Sequence, residues 1–206
     1  MNSTEKTSAS PTAKMPFRKA AAYYLTQPGV KLLARTGVTP TALTWIGLIL
    51  SLGAAVLIAM GQLIAAGLVV LVAGYFDILD GALARQTNQI TKFGGVFDST
   101  ADRIAEALTL IGVMALFMFQ GLSWWTVIVV GVALLASFLV SYIRSRAEAA
   151  NIDCQVGLFT RSERVIILAV GLFINQLLII IGIIAVLSVF TVVQRLVNVY
   201  KKAKLS

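Results

Sequence analysis

The chain contains no histidine and a single cysteine, Cys154. The first absence removes the commonest general base and the commonest transition-metal ligand. The second excludes an internal disulfide. Any acid–base or metal chemistry must therefore rest on Asp, Glu, Lys, Arg, Tyr or hydroxyl groups. Charge is scarce as well. Charged residues make up 13% of the 206-residue chain and hydrophobic residues 58%, whereas a soluble domain has about 25% and about 45–50%. The deficit of charge and the long apolar runs predict an integral membrane protein of one domain. No signal peptide is expected, because the first forty residues are polar and hold no short apolar core with a small-residue cleavage site.

Acidic residues are scarcer than basic ones, nine against 17 Lys and Arg, for a net charge of +8. Basicity alone fits a nucleic-acid binder, but the apolar content argues against one. The distribution of charge explains it better. The basic residues fall in the N-terminal segment, around residues 85–103, around residues 144–164 and at the C-terminal end. The turns at 61–62, 120–123 and 175–176 carry none. By the positive-inside rule, this asymmetry predicts a multi-pass membrane protein with both termini cytoplasmic.

The apolar pattern predicts an all-α architecture of six transmembrane helices. Residues 1–14 are small and polar and read as a disordered cytoplasmic tail. Residues 15–36 mix basic and aromatic side chains and read as an amphipathic helix in the membrane interface, broken near Pro28-Gly29. The six-helix domain covers residues 37–200, and 201–206 form a basic tail. Thr39 and Pro40 look like a cap and a first helical residue. The helices are expected at about 41–60, 63–86, 93–119, 125–149, 161–174 and 177–200.

Against this background one stretch stands out. Asp77, Asp80, Asp98 and Asp102 are four of the nine acids, and apolar runs flank them on both sides. One carboxylate in a membrane helix costs about 2.5–3.5 kcal/mol on insertion scales. Asp77, Asp80, Gly81, Ala84 and Arg85 share one helix face, and Asp98 and Asp102 share another. The short loop between these helices predicts antiparallel neighbours whose carboxylates face one another. Gathered in low dielectric, four anions need cations. Arg85 is one, and two divalent metals balance the charge. Oxygen ligands without His or Cys favour Mg²⁺ or Mn²⁺. Two-metal sites commonly serve phosphoryl chemistry. Gly81, Gly94 and Gly95 would let a bulky ligand approach the backbone, although Gly94-Gly95 equally suits a close helix contact. Other readings of the stretch are a structural Asp–Arg network and the ion pathway of a transporter. The first needs fewer acids, and the second would spread them through the membrane depth.

Eight positions, Asp77, Asp80, Gly81, Ala84, Arg85, Gly94, Asp98 and Asp102, meet the pattern D-x2-D-G-x2-A-R-x8-G-x3-D-x3-D. The chain from about residue 30 to 200 thereby resembles the CDP-alcohol phosphotransferases. The resemblance implies transfer of the phosphatidyl group of a CDP-linked lipid to an alcohol, with release of CMP. It implies that Asp77, Asp80, Asp98 and Asp102 bind two metals and that Asp102 also takes the acceptor proton. It places Gly81, Ala84, Arg85 and Gly94 against the cytidine diphosphate, with Thr39 and Pro40 near the nucleotide. A homodimer in contact with membrane lipids is implied too.

The acceptor must be recognised elsewhere. The ends of three helices carry SYIRSRAEA, TRSERVII and VVQRLV, with Ser141, Arg144, Arg146, Arg161, Arg164 and Arg195. Arginines suit a phosphate held by several N–H donors, so a phosphorylated alcohol is expected. Arg146 has Glu148 and Glu163 as alternative partners, and Lys201, Lys202 and Lys204 read as anchors at the lipid headgroups. The combination resembles the family's inositol-phosphate subgroup, the bacterial phosphatidylinositol phosphate and archaeal archaetidylinositol phosphate synthases. That implies Arg144, Arg164 and Arg195 as phosphate ligands, with Ser141 and Arg146 nearby. Glycerol 3-phosphate is the alternative acceptor, and the choice of ester or ether lipid stays open.

Overall fold

The computed structural model describes residues 27–34 and 36–204. The expected disordered tail at 1–14 and most of the expected interfacial helix lie outside the described residues. Residues 27–34, which include Pro28 and Gly29, are helical.

Among the described residues every regular element is helical. After the short N-terminal segment come α1 (Pro40–Ala59), α2 (Leu63–Gln86), α3 (Lys92–Phe119), α4 (Trp124–Ala149), α5 (Arg161–Phe173) and α6 (Leu177–Ala203). Thr39 caps α1 by accepting the Ala42 N–H at 3.2 Å, and Pro40 occupies the first turn, where its missing N–H costs nothing. Thr91 caps α3 in the same way through the Gly94 N–H at 2.9 Å. At the other ends, the residue two past each of α1 to α5 adopts the left-handed conformation that stops a helix. These residues are Gly61, Asn88, Gly121, Asn151 and Asn175, with φ between 54° and 76°. Glycine and asparagine are the residues that tolerate it. The expected tail at 201–206 begins as helix, since α6 continues through Lys201 and Lys202.

Among the described residues four helices, α1, α2, α4 and α6, are long and apolar enough to cross a membrane. At 13 residues α5 rises only about 20 Å, short of a hydrocarbon core about 30 Å thick. The outer faces carry exposed Ile49, Leu52, Val56, Ile128, Leu135, Ile179 and Val186, as lipid contact requires. The chain is a multi-pass membrane protein.

Inside a membrane, helices associate through close packing and not through water exclusion, which favours small side chains at contacts. Ala54, Ile58, Ala66, Val70, Val113, Val130, Leu168, Ile181 and Ile184 form the core, drawn from all six helices. At the crossing of α1 and α3, a Cβ on Gly112 would lie 2.6 Å from the Ala55 carbonyl oxygen, so only glycine fits. The main packed pairs are α1–α2, α1–α3, α4–α6, α2–α5, α3–α4 and α5–α6. The expected facing of carboxylates from α2 and α3 is met by Asp77, Asp98 and Asp102. α1 lies against both helices, and the space between α2 and α3 opens as a cleft.

The connection from residue 150 to 160 is strapped to α6. Arg195 donates from Nε to the Val156 carbonyl at 2.9 Å and from Nη1 to the Val140 carbonyl. Gln194 accepts the Leu158 N–H at 3.2 Å. Lys202 donates to Asp153 at 2.9 Å, and that bond holds the Asp153 carboxyl below its ordinary value. A Cβ on Gly157 would stand 2.9 Å from the Arg195 guanidinium, and its φ of 153° is one that other residues rarely adopt.

Candidate active site

The cleft lies between α1, α2, α3 and α5. Its apolar floor includes Val70, Leu110, Leu168 and Ile184, and its polar end holds Thr44, Asp77, Asp80, Asp102, Glu106, Arg161 and Arg164.

Helical spacing positions the acids. Asp77 comes from α2, Asp98 and Asp102 from successive turns of α3, and one carboxylate oxygen from each lies within 4.8 Å of the others. These are hard oxygen donors, partly buried, from two helices. The set fits a divalent cation of the Mg²⁺ or Mn²⁺ type. Asp80 stands apart from that trio. It is 4% exposed and accepts a 2.6 Å hydrogen bond from the Thr44 hydroxyl of α1. A buried carboxylate needs such a donor, because an unsatisfied anion in low dielectric is costly.

α5 supplies the positive charge. Arg161 Nη1 lies 2.8 Å from Asp77 Oδ2 and 2.7 Å from Asp102 Oδ1, bridging the carboxylates of two helices. One turn later, Arg164 donates from Nη2 to Glu106 Oε2 at 2.9 Å and from Nε to Oε1 at 2.5 Å. Its Nη1 donates to the Phe159 carbonyl at 3.2 Å. Both arginines sit in the first turn of α5, where the macrodipole opposes a cation by about 0.3–1 kcal/mol each. Asp77, Asp102 and Glu106 offset that opposition. The turn itself is fixed by Thr160, whose N–H donates to Glu163 Oε2 at 2.8 Å.

The other expected site residues lie in different settings. Arg85 is exposed, and its Nη1 would be 3.3 Å from a Cβ on Gly81, so the guanidinium folds over that glycine. Ala84 follows on the same helix, partly buried. A Cβ on Gly94 would meet only the capping Thr91 hydroxyl, at 2.9 Å, and one on Gly95 would meet nothing. Neither glycine marks a helix–helix contact. Ser141 is partly buried on α4, and Arg144 and Arg146 are exposed at its end. Arg144 pairs with Glu148 at 2.8 Å. Glu163, the other expected partner of Arg146, is engaged in the cap at Thr160. Arg195, 3% exposed, holds the 150–160 connection. Arg164 thus lines the cleft, whereas Arg144, Arg146 and Arg195 are not among its lining residues.

Comparison with known proteins bears directly on this arrangement. Residues 37–194 match the family model described as CDP-alcohol phosphatidyltransferase. The chain belongs to the CDP-alcohol phosphatidyltransferase family. As such it is an enzyme whose cofactor is a divalent metal ion, and the aspartate cluster is a group of carboxylates that could hold one. Among its relatives is the archaetidylinositol phosphate synthase of Pyrococcus horikoshii, 38% identical over 176 residues, spanning 85% of this chain and 90% of the other. The phosphatidylinositol phosphate synthase of Mycobacterium tuberculosis is 36% identical over 208 residues, spanning 91% and 92%. Crystal structures of the M. tuberculosis enzyme superpose on this phosphatidyltransferase. One, with CDP-DAG bound, has a TM-score of 0.80 at 35% identity and covers 86% of this chain and 94% of the other. Another, with manganese and citrate, has a TM-score of 0.79 and covers 85% and 88%.

Three residues of this phosphatidyltransferase's cleft escaped the sequence reading of the acidic stretch: Thr44, Glu106 and Arg161. Glu106 continues the Asp98, Asp102 series at the next i+4 position, so its place on the face was readable. Arg161 was noticed as an arginine near a helix end. Its partners, 84 residues away at Asp77 and across the cleft at Asp102, were not. Thr44 carries no local signal.

Proposed function

We propose that this phosphatidyltransferase moves the phosphatidyl, or archaetidyl, group of a CDP-linked lipid onto a hydroxyl of inositol phosphate and releases CMP. The carrying observation is the Asp77, Asp98 and Asp102 cluster, of which Asp77 and Asp102 line the polar end of an apolar cleft that also holds Arg161 and Arg164. The names of the relatives, which include both phosphatidylinositol and archaetidylinositol phosphate synthases, support the acceptor. So does the arginine content of α4, α5 and α6.

In this reading Asp77, Asp80, Asp98 and Asp102 hold two divalent ions. The ions, when bound, neutralise the diphosphate and stabilise negative charge developing on the leaving CMP. Thr44 fixes the Asp80 carboxylate by its hydrogen bond. Gly81, Ala84, Arg85 and Gly94, with Thr39 and Pro40, border the cytidine diphosphate. Asp102 accepts the proton of the acceptor hydroxyl. The acceptor oxygen forms a bond to the lipid-side phosphorus as the bond from that phosphorus to the CMP oxygen breaks. Arg164, with Ser141, Arg144, Arg146 and Arg195, binds the phosphate of the acceptor. The apolar floor of the cleft keeps water from competing as nucleophile.

In the membrane, six spans with both termini and the active site on the cytoplasmic side fit the Lys and Arg distribution. Two copies associate as a homodimer. Single cysteines introduced at Ser123 and Lys204 should react with an impermeant reagent from opposite sides.

The function is tested with purified protein, CDP-diacylglycerol, Mg²⁺ or Mn²⁺ and a panel of acceptors. CMP release with inositol phosphate exceeding that with glycerol 3-phosphate, serine or inositol is expected. Preference for glycerol 3-phosphate would reassign the acceptor.

A further inference from the structure

The cleft contains one carboxylate outside the aspartate motif, Glu106. It lies one helical turn beyond Asp102 on α3, with its side chain 11% exposed. A buried carboxylate in a membrane helix is expensive, and here it is answered by one guanidinium in fork geometry. Arg164 Nη2 donates to Oε2 at 2.9 Å and Nε to Oε1 at 2.5 Å. Arg164 is 2% exposed. Of the five N–H groups on a guanidinium, the fork uses two and the Phe159 carbonyl a third. One N–H on each terminal nitrogen is thus not used by these bonds, while the plane of the group is set by the fork.

We propose that Glu106 is a positioning residue that determines acceptor affinity by holding the Arg164 guanidinium at the cleft wall. The same pair sets the height of α5 against α3. Arg161, one turn before Arg164, reaches Asp102, one turn before Glu106, at 2.7 Å. The two ion pairs therefore form successive rungs between α3 and α5. The upper rung joins the aspartate cluster, and the lower one orients an arginine that borders the substrate space. Glutamate is required there because two parallel acceptors at carboxylate spacing match the guanidinium. Glutamine keeps the volume but replaces one acceptor by a donor, so one N–H of the fork loses its partner.

The proposal rests on the reading of Arg164 as a ligand of the acceptor phosphate, and the experiment separates the two. Glu106→Gln, Arg164→Ala and the double variant are assayed with CDP-diacylglycerol, Mn²⁺ and inositol phosphate. Glu106→Gln should raise the KM for inositol phosphate about tenfold while the KM for CDP-diacylglycerol stays within twofold. The rise in melting temperature produced by inositol phosphate should shrink in parallel, and Glu106→Asp should recover part of both. The double variant should be no weaker for inositol phosphate than Arg164→Ala. If Arg164→Ala leaves the acceptor KM unchanged, the ligand reading of Arg164 fails, and the proposal with it. If Arg164→Ala raises that KM but Glu106→Gln lowers only the melting temperature, Glu106 is a structural ion-pair partner and the proposal alone is overturned. Should Glu106→Gln not fold, Glu106→Asp carries the same comparison.

Discussion

The hydroxyl of Thr44 on α1 donates to the Asp80 carboxylate on α2 at 2.6 Å, with both residues buried. This bond joins the helix that lies between α2 and α3 to the acidic stretch itself. A hydrogen bond to a charged group contributes about 1.5–3 kcal/mol. Thr44→Val keeps the shape and removes the donor. Turnover should fall at least tenfold, and the melting temperature should drop by several degrees. Thr44→Ser should behave like the wild type. A Thr44→Val enzyme of normal activity would show that Asp80 does not depend on this bond.

Asp98 is one of three carboxylates whose oxygens gather within 4.8 Å. Asp98→Asn keeps the size and removes the charge that a divalent cation needs. Turnover should be lost at any Mn²⁺ concentration, and Mn²⁺ binding followed by spin resonance should weaken at least tenfold. Binding of wild-type strength would remove Asp98 from the ligand set.

Arg161 is the cation that touches both Asp77 and Asp102. Arg161→Ala leaves those carboxylates facing each other without it, and their repulsion must be answered otherwise. The variant should melt earlier than the wild type in chelator. Added Mn²⁺ should raise its melting temperature more than it raises that of the wild type. Equal metal-induced shifts in both proteins would mean that Arg161 does not carry the charge balance of the site.

Gly112 marks a close crossing of α1 and α3, where a Cβ would come within 2.6 Å of the Ala55 carbonyl oxygen. Both partners are backbone, so neither yields by a rotamer change. Gly112→Ala should destabilise by about 1–3 kcal/mol, the usual range for overpacking. Reversible unfolding in mixed micelles measures it. Because α1 carries Thr44, activity should fall along with stability. An unchanged midpoint would mean that the two helices separate at little cost.

Much of this molecule was legible in its residue order, and the legible parts share a reason. Thr39, Thr91, Pro40 and the glycines or asparagines two residues past α1 to α5 act on the backbone within a few positions. They therefore declare the ends of helices locally. The spacing of Asp77 with Asp80, and of Asp98 with Asp102, declares shared faces for the same reason. The scarcity of charge made those four acids conspicuous against apolar neighbours.

Spacing did not declare which elements meet. The short loop between α2 and α3 predicted antiparallel neighbours, but not that α1 lies against both, with Gly112 of α3 closing on Ala55 of α1. The arginines near the helix ends were visible, yet their partners were not. A guanidinium pairs with whichever carboxylate the packing brings within reach, over separations of 58 residues for Arg164 with Glu106 and 84 for Arg161 with Asp77. The helices, the membrane setting and the acid motif follow from local periodicity and composition, so they can be read along the chain. That Thr44, Glu106 and Arg161 line the cleft beside the aspartates depends on how the helices pack, because long-range pairing leaves no local trace.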